Sequence, residues 1–508
     1  MRGKRKIPGI RLLQAWIMAV VLLAPLSALA QDVRYPEEEW LRYANQETEI
    51  DVFEAFDLLP SAAFLLLAGP LAGQEEGLEG SVFRAIEENR ESHLAFLQRL
   101  VRAQESGEGA VQALVAARFR ELGMEVETHR LVPIQLSPEL EFAAEESIDR
   151  TERISVVGRL PGAGGGKSLL FFGHPDGEPM TEASLAGWEH DPFAGEVENG
   201  RIYGWGVADD LTGVAIMAEA LAAVLETAGR PAGEILLAST PAKRSARGIL
   251  GVLNEGYHAD AAVYLHPAES EEGLEDIKAI TSGMLQFRVV VAGRGPDTRE
   301  PGQTAFAHQA VNAMDKAMIV LTALRELDRR RGEEVHHPAL EAAVGRSTNL
   351  LSSHIACGEA GRTTRVPARC VVEASVTFPP DEQMPEVREE ILAAIRGAAE
   401  EDPWLRAHPP EVEWLFGTQG VEVSGDHPLY RTVHEAVVEV TGVEPKVNPL
   451  HSASDIKNPN LFSGIPSVGI GPLAGDLTQA GGYDEWVDVE DYIRTIKICA
   501  KIILDWSG

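Results

Sequence analysis

The chain has 508 residues, a formal net charge of −33, 44% hydrophobic residues and three cysteines. That length supports two or three domains with sizeable cores, and so acidic a surface repels nucleic acid and anionic membranes, which excludes both as partners. Three widely spaced cysteines without a Cys-x-x-Cys pair exclude a disulfide framework and a cysteine-rich zinc site.

In chain order, Arg2, Lys4, Arg5 and Lys6 precede an apolar run from Trp16 to Leu29 that closes on Ala28-Leu29-Ala30. A basic start, an apolar stretch and a small-residue cleavage site form a signal peptide over residues 1–30, so an exported, periplasmic or secreted protein is expected. The run is shorter than the roughly 20 residues a membrane span needs. No membrane attachment is expected once it is removed. Residues 31–87 form an extension without an assigned structure, containing an apolar run from Ala62 to Leu71.

From Ser92 the patterns sharpen. Leu94, Phe96, Leu97, Leu100 and Val101 mark one amphipathic helix; Val111, Leu114, Val115, Phe119 and Leu122 mark a second that stops at Gly123. Strands and helices alternate over residues 88–281, the signature of an α/β domain whose mostly parallel sheet is covered by helices. At residue 282 the rhythm changes to β-α-β-β-α-β, with strands at Leu285–Val291, Thr348–Ile355, Val371–Phe378 and Val412–Phe416 and helices at Ala310–Leu327 and Val387–Arg396. That order predicts a ferredoxin-like α+β insertion over 282–418. Residues 419–508 return to the first domain, with a helix at Pro428–Val440, a strand at Pro466–Ile470 and a closing helix at Val489–Trp506. Cys357 and Cys370 flank a turn inside the insertion; they either pair in an oxidising compartment or stay as buried thiols.

The chemistry gathers at strand ends. The apolar run Ser168–Phe172 places His174 and Asp176 just past a buried strand, where open α/β sheets collect ligand-binding groups. Asp209 opens a helix running from Leu211 to Leu225, with Asp210 read as its solvated N-cap. His266, in Tyr264-Leu-His-Pro267, follows another buried strand. His190, His427 and His451 have no such placement.

From Ser92 onward the ordered set Gly173-His-x-Asp176, Trp188, Asp191-Pro-Phe193, Gly204-x-Gly-x-x-Asp209 and Gly464-Ile-Pro-x-x-x-Ile-Gly-Pro472, together with the insertion, resembles metallopeptidase family 20. This group includes aminoacylases, carboxypeptidase G, acetylornithine deacetylase and succinyl-diaminopimelate desuccinylase. The resemblance implies a zinc-peptidase fold with a lid and dimerisation domain. It also implies chemistry in which two zinc ions about 3.5 Å apart activate water against an amide carbonyl. It makes His174 the first ligand, Asp176 the carboxylate that orients its imidazole, Asp209 the bridging carboxylate and His266 the ligand that completes one metal's set.

The pattern breaks on the second metal. Lys243 and Arg244 occupy the places of the family's Glu-Glu pair, general base and ligand, and Gly481 stands where a histidine precedes Asp484-Glu-Trp-Val487. One divalent ion, zinc, is therefore expected and a second is not; cations at 243 and 244 repel a second ion and can pair with Asp209. In the insertion, Asp297 stands near an oxyanion-stabilising histidine of relatives, Thr364 replaces an asparagine and Thr377 lies near an arginine. His451-Ser-Ala-Ser-Asp455 matches a substrate-binding loop, which makes His451, Ser452 and Ser454, with Arg244, binding candidates. The lid domain implies a homodimer. Two readings stay open. One is a one-metal hydrolase of small peptides or N-acyl amino acids, with Asp210 or Glu269 as base. The other is a catalytically inactive relative that binds a peptide-like ligand or a protein partner, with Lys243, Arg244 and Arg247 as an anion-binding cluster.

Overall fold

The computed structural model describes residues 77–508 except 145–146, 178–179, 242–246, 268–272, 448–453 and 476–483. The signal segment, the apolar run 62–71, Lys243, Arg244, Glu269, His451, Ser452 and Gly481 lie outside the described residues. Three helices open the described part: α1 (Leu78–Glu88), α2 (Arg90–Gln104) and α3 (Glu108–Glu121). Gly123, at φ +74°, turns the chain out of α3 into β1 (Glu125–Leu131), β2 (Glu141–Ala143), β3 (Arg153–Leu160) and β4 (Leu169–Gly173). Helix α4 (Thr212–Thr227), strand β5 (Ile235–Ser239), helix α5 (Arg247–Asn254) and strand β6 (Ala261–Leu265) follow.

The insertion then supplies β7 (Gly283–Ala292), α6 (Ala313–Glu334), β8 (Asn349–Cys357), β9 (Arg369–Phe378), α7 (Met384–Glu401) and β10 (Glu411–Thr418). This is the expected β-α-β-β-α-β order. Helix α8 (Pro428–Thr441), helix α9 (Lys457–Ser463), strand β11 (Ser467–Ile470) and helix α10 (Val489–Ser507) complete the chain. Among the described residues no helix is long and apolar enough to cross a membrane.

The first sheet has the order β1-β3-β5-β4-β6-β11. Strands β5, β4, β6 and β11 are parallel, whereas β3 runs antiparallel to both its neighbours. The parallel centre explains the unbroken apolar runs, because such strands are covered on both faces. Alternation along β4 divides the core: Leu169 and Phe171 join the layer of α1, α2, α4, α8 and α10, while Leu170 and Phe172 join the layer of α5 and α9. Helix α4 is buried from Thr212 to Leu221, so it crosses the sheet as an inner helix and brings the segment before it to the strand ends.

The second sheet has the order β8-β9-β7-β10-β2 and is antiparallel throughout. Inward residues Leu285, Phe287, Val289 and Val291 alternate with more accessible ones and pack under α6 and α7. Its fifth strand was not anticipated. β2 precedes the insertion in sequence, yet Glu141, Phe142 and Ala143 pair with Thr418, Gly417 and Phe416 of β10.

Cys357 and Cys370 face each other in the β8–β9 register and form a disulfide, which resolves the alternative left open by the sequence; Cys499 is a buried free thiol. With a sequence separation of 13 residues, the bridge closes a loop worth about 3 kcal/mol in the chain-entropy account. Replacing both cysteines with alanine is expected to lower stability by about that amount. Urea unfolding checks it, and an unchanged midpoint contradicts it.

Candidate metal centre

Strands β4 and β6 are parallel neighbours, with Phe172 opposite Tyr264 and their rings stacked at 5.0 Å. Their C-terminal ends therefore deliver His174 and His266 side by side, with ring centroids 6.1 Å apart. Asp209 comes from the segment leading into α4. That helix can press onto β6 because Gly213 faces Leu265 with no side chain; a Cβ there would lie 1.9 Å from the Leu265 carbonyl oxygen.

Asp209 Oδ1 lies 3.1 Å from His174 Nε2 and 2.8 Å from His266 Nε2. One ligand atom from each of the three residues falls within 4.8 Å of the others. Two imidazoles and one carboxylate at such spacing suit a single divalent ion with room for further ligands. Both histidines are buried and Asp209 is partly accessible, so the set opens on the side of Asp209.

The other predicted residues take varied places. His174 Nδ1 sits 3.1 Å from the main-chain carbonyl of Asp176 and 3.8 Å from its carboxylate, so the nearer orienting contact runs through the backbone. The Asp176 carboxylate meets Arg153 at 3.1 Å, and Arg153 also holds Glu108 and Asp149. Ser454 is buried beside Asp455, whose charge bears on Asp210. His190 stacks on Tyr203 and meets Glu198 and Asp484, and His427 caps α8 by accepting the Leu429 N–H; neither joins the cluster. Asp297 and Thr364 are exposed in the insertion, and Thr377 lies within β9.

Two expectations are corrected. Asp210 is not a solvated cap: it is fully buried, and its Oδ1 accepts the His174 N–H at 2.8 Å. The Asp209–Asp210 peptide is cis, and α4 begins only at Thr212. Arg247 is likewise no surface cation. It is buried, donates to the Leu136 carbonyl and pairs with Glu141 at 3.2 Å.

Lys278 was overlooked. It is 1% exposed, and its Nζ lies 2.7 Å from His266 Nδ1 and 2.8 Å from the Pro267 carbonyl. The signal was present as one charge inside the apolar run Ile277-Lys-Ala-Ile280.

Charges crowd the centre. Burial disfavours charging His174, but Asp210, Asp209 and Asp176 outweigh it and push the ring up to about 10. Burial, with Asp209 and Asp455, lifts the Asp210 carboxyl well above the usual range against the pull of His174. A metal entering must displace the His174 proton, so apparent affinity should rise roughly tenfold per pH unit up to about pH 10. In the metal-free protein the sign reverses. The raised ring contributes stability fully below its unfolded value near 6.5 and loses it as pH climbs through about 10. Chelator competition between about pH 6 and pH 9 measures the first trend; an affinity independent of pH contradicts it.

A profile of the family described as "Peptidase family M20/M25/M40" matches residues 170–505, the stretch that holds every centre residue named above. The chain belongs to peptidase family M20. It is 24% identical over 446 residues to the N-formyl-4-amino-5-aminomethyl-2-methylpyrimidine deformylase of Bacillus subtilis (strain 168), covering 84% of this chain and 97% of that protein. It is 27% identical over 303 residues to succinyl-diaminopimelate desuccinylase of Rhodopseudomonas palustris (strain BisA53), covering 58% of this chain and 72% of that one. Among solved structures, the dipeptidase Dug1p of Saccharomyces cerevisiae superposes with a TM-score of 0.60 at 15% identity, over 85% of this chain and 99% of that one. Human carnosine dipeptidase 1 gives 0.59 at 17%, over 85% and 99%. These last two likenesses establish the M20 fold.

Proposed function

We propose that this M20 protein is an exported hydrolase that cleaves amide bonds in small peptides or N-acyl amino acids with one zinc ion held by His174, Asp209 and His266. The observation that carries this reading is the convergence of those three side chains at the ends of β4, β6 and the segment before α4. Relatives named as a deformylase, a desuccinylase and dipeptidases share one operation, removal of an acyl group from nitrogen, and that supports the substrate class. The bound ion would supply Lewis-acid polarisation of the amide carbonyl. Asp210 has no face open to substrate, so its part is to hold the His174 backbone. The basic leader and the Cys357–Cys370 bridge support export, since such bridges persist in oxidising compartments.

The test is turnover of a panel of N-formyl, N-succinyl and N-acetyl amino acids and dipeptides by zinc-loaded protein, with His174→Ala as control. Release of free amine that disappears in the control supports the reading. Absence of turnover, with a dipeptide still bound by metal-free protein, favours the inactive binding relative instead.

A homodimer through the insertion is part of the proposal. Among the described residues strand β8 is an open sheet edge bearing exposed Leu351 and Ile355, and Met314 and Met318 are exposed on α6. An unpaired edge with apolar side chains is an association surface. Light scattering of the wild type and Leu351→Asp tests it: a monomeric wild type refutes the dimer, and a dimeric Leu351→Asp variant refutes this edge.

A further inference from the structure

On a chain of net charge −33, an anion finds a site only where cations are gathered locally. One such place lies at the far end of the insertion. Ala292, which ends the 10-residue strand β7 begun at Gly283, pairs with Arg369 at the start of β9, and the Cys357–Cys370 bridge closes the β8–β9 hairpin beside it. Beyond those strand ends the loops 293–312 and 358–368 enclose a cavity of about 620 Å³, the size of a small-molecule pocket. None of the metal-centre residues lines it, nor do Asp297, Thr364 or Thr377.

The two loops are tied to each other. Gly293 donates its N–H to the Ala368 carbonyl at 2.8 Å, Ala313 to Pro367 at 2.9 Å and Gln303 to Thr364 at 2.7 Å. The Gln303 side chain adds a fourth tie, its Oε1 accepting the Val366 N–H at 2.9 Å, and Asn312 Oδ1 accepts the Met314 N–H at 3.0 Å as the cap of α6. A carboxamide has one oxygen and one NH2 group, so an oxygen held by the main chain fixes which end is left over. At Gln303 and Asn312 that end is the NH2, and both residues line the cavity. Arg362 and Arg365 add further donors. Glu359, the acidic residue of the lining, is engaged by Arg362 Nε at 2.7 Å, whereas the Arg365 guanidinium has no partner among the described residues. Helix α6 starts at this wall and turns the positive end of its dipole toward it.

We propose that this cavity binds the carboxylate of a small organic acid, with Arg365, Arg362 and the amide groups of Gln303 and Asn312 donating to it. A guanidinium meets a carboxylate with two parallel N–H donors, and the fixed amides complete the set. Val366 and Pro367 line the same cavity and give the acid's carbon chain an apolar wall, which inorganic phosphate could not use. The site stands apart from the proposed amide hydrolysis, and its donors are independent of any metal.

The experiment titrates full-length protein with hexanoate, hexanamide and inorganic phosphate in a calorimeter. Hexanoate is expected to bind with a Kd of about 1 mM, and hexanamide, which lacks the charge, to give no heat. Arg365→Gln should weaken hexanoate about tenfold or more, as loss of a charge-assisted hydrogen bond does. Arg365 is exposed, so its replacement leaves the packing intact. Arg299→Gln, at an exposed arginine outside the lining, should change nothing. His174→Ala is expected to bind hexanoate as the wild type does; loss of binding there would put the carboxylate at the metal centre and overturn the proposal. Absence of hexanoate binding, equal affinity for hexanamide, or an Arg365→Gln variant indistinguishable from wild type overturns it too, and preference for phosphate overturns the organic acid. No titration reads turnover, so failure of the hydrolase reading leaves the result distinct.

Discussion

Asp209→Asn is expected to empty the metal centre while leaving the protein folded. Asp209 is the only carboxylate in the three-residue ligand set, and its Oδ1 lies within 3.1 Å of both imidazole Nε2 atoms. Asparagine keeps the shape but presents a neutral carbonyl or an amide to the same point. Loss of an orienting partner alone costs roughly 10- to 100-fold in metal affinity, and loss of a charged ligand should exceed about 100-fold. Metal content after dialysis should fall from one ion per chain to none, with turnover falling in step. A variant that retains a full complement of metal would show that Asp209 is not a ligand, and the one-metal reading would fail with it.

Glu141→Gln is expected to cause the largest loss of stability. Glu141, Arg247 and Lys457 are 4%, 2% and 1% exposed, and the carboxylate lies 3.2 Å from each cation. They come from β2, α5 and α9, so one buried anion joins the edge of the second sheet to two helices packed on the first. Both cations have lost their water, and Arg247 retains a bond to Leu136 whereas Lys457 lies over the Phe416 ring at 5.9 Å. Removing one partner of a buried ion pair costs about 3–5 kcal/mol, because the remaining charge is left uncompensated. Here two such charges remain, against a typical total stability of about 5–15 kcal/mol. Urea unfolding should show this drop, and Glu141→Leu combined with Lys457→Met should recover part of it by removing charge from both sides. A loss below about 0.5 kcal/mol, the level of an ordinary surface substitution, would mean that the triad is solvated.

The fold was legible because it is written in local pattern, and so was the placement of the candidate histidines at strand ends. Buried parallel strands are continuous apolar runs, so the ends of β4 and β6 could be read directly and His174 and His266 placed at them. Asp210 was misread because an aspartate before a helix suggests a cap, whereas the N–H it accepts belongs to His174, a neighbour only after α4 docks. Arg247 was grouped with Lys243 and Arg244 by adjacency. Its partner Glu141 lies more than a hundred positions earlier in the chain, and nothing in either local pattern announces the pair. Lys278 could have been noticed as a charge in an apolar run, but its contact with His266 depends on pairing with Gly469 in a strand formed near the end of the chain. The disulfide needed a register that spacing across a turn does not fix.

Strand β2 bears on how this architecture can be taken apart. Residues 282–418 look like a cassette set into a host, yet the host lends the cassette's sheet its outermost strand. Gly417 lies under the Phe142 ring with no room for a Cβ, which would come within 2.2 Å of it, so the fit is reciprocal. Excised at its sequence boundaries, the cassette would carry a raw edge along β10, the kind of surface that seeks another chain. A lid transplanted between relatives should therefore travel with Glu141–Ala143.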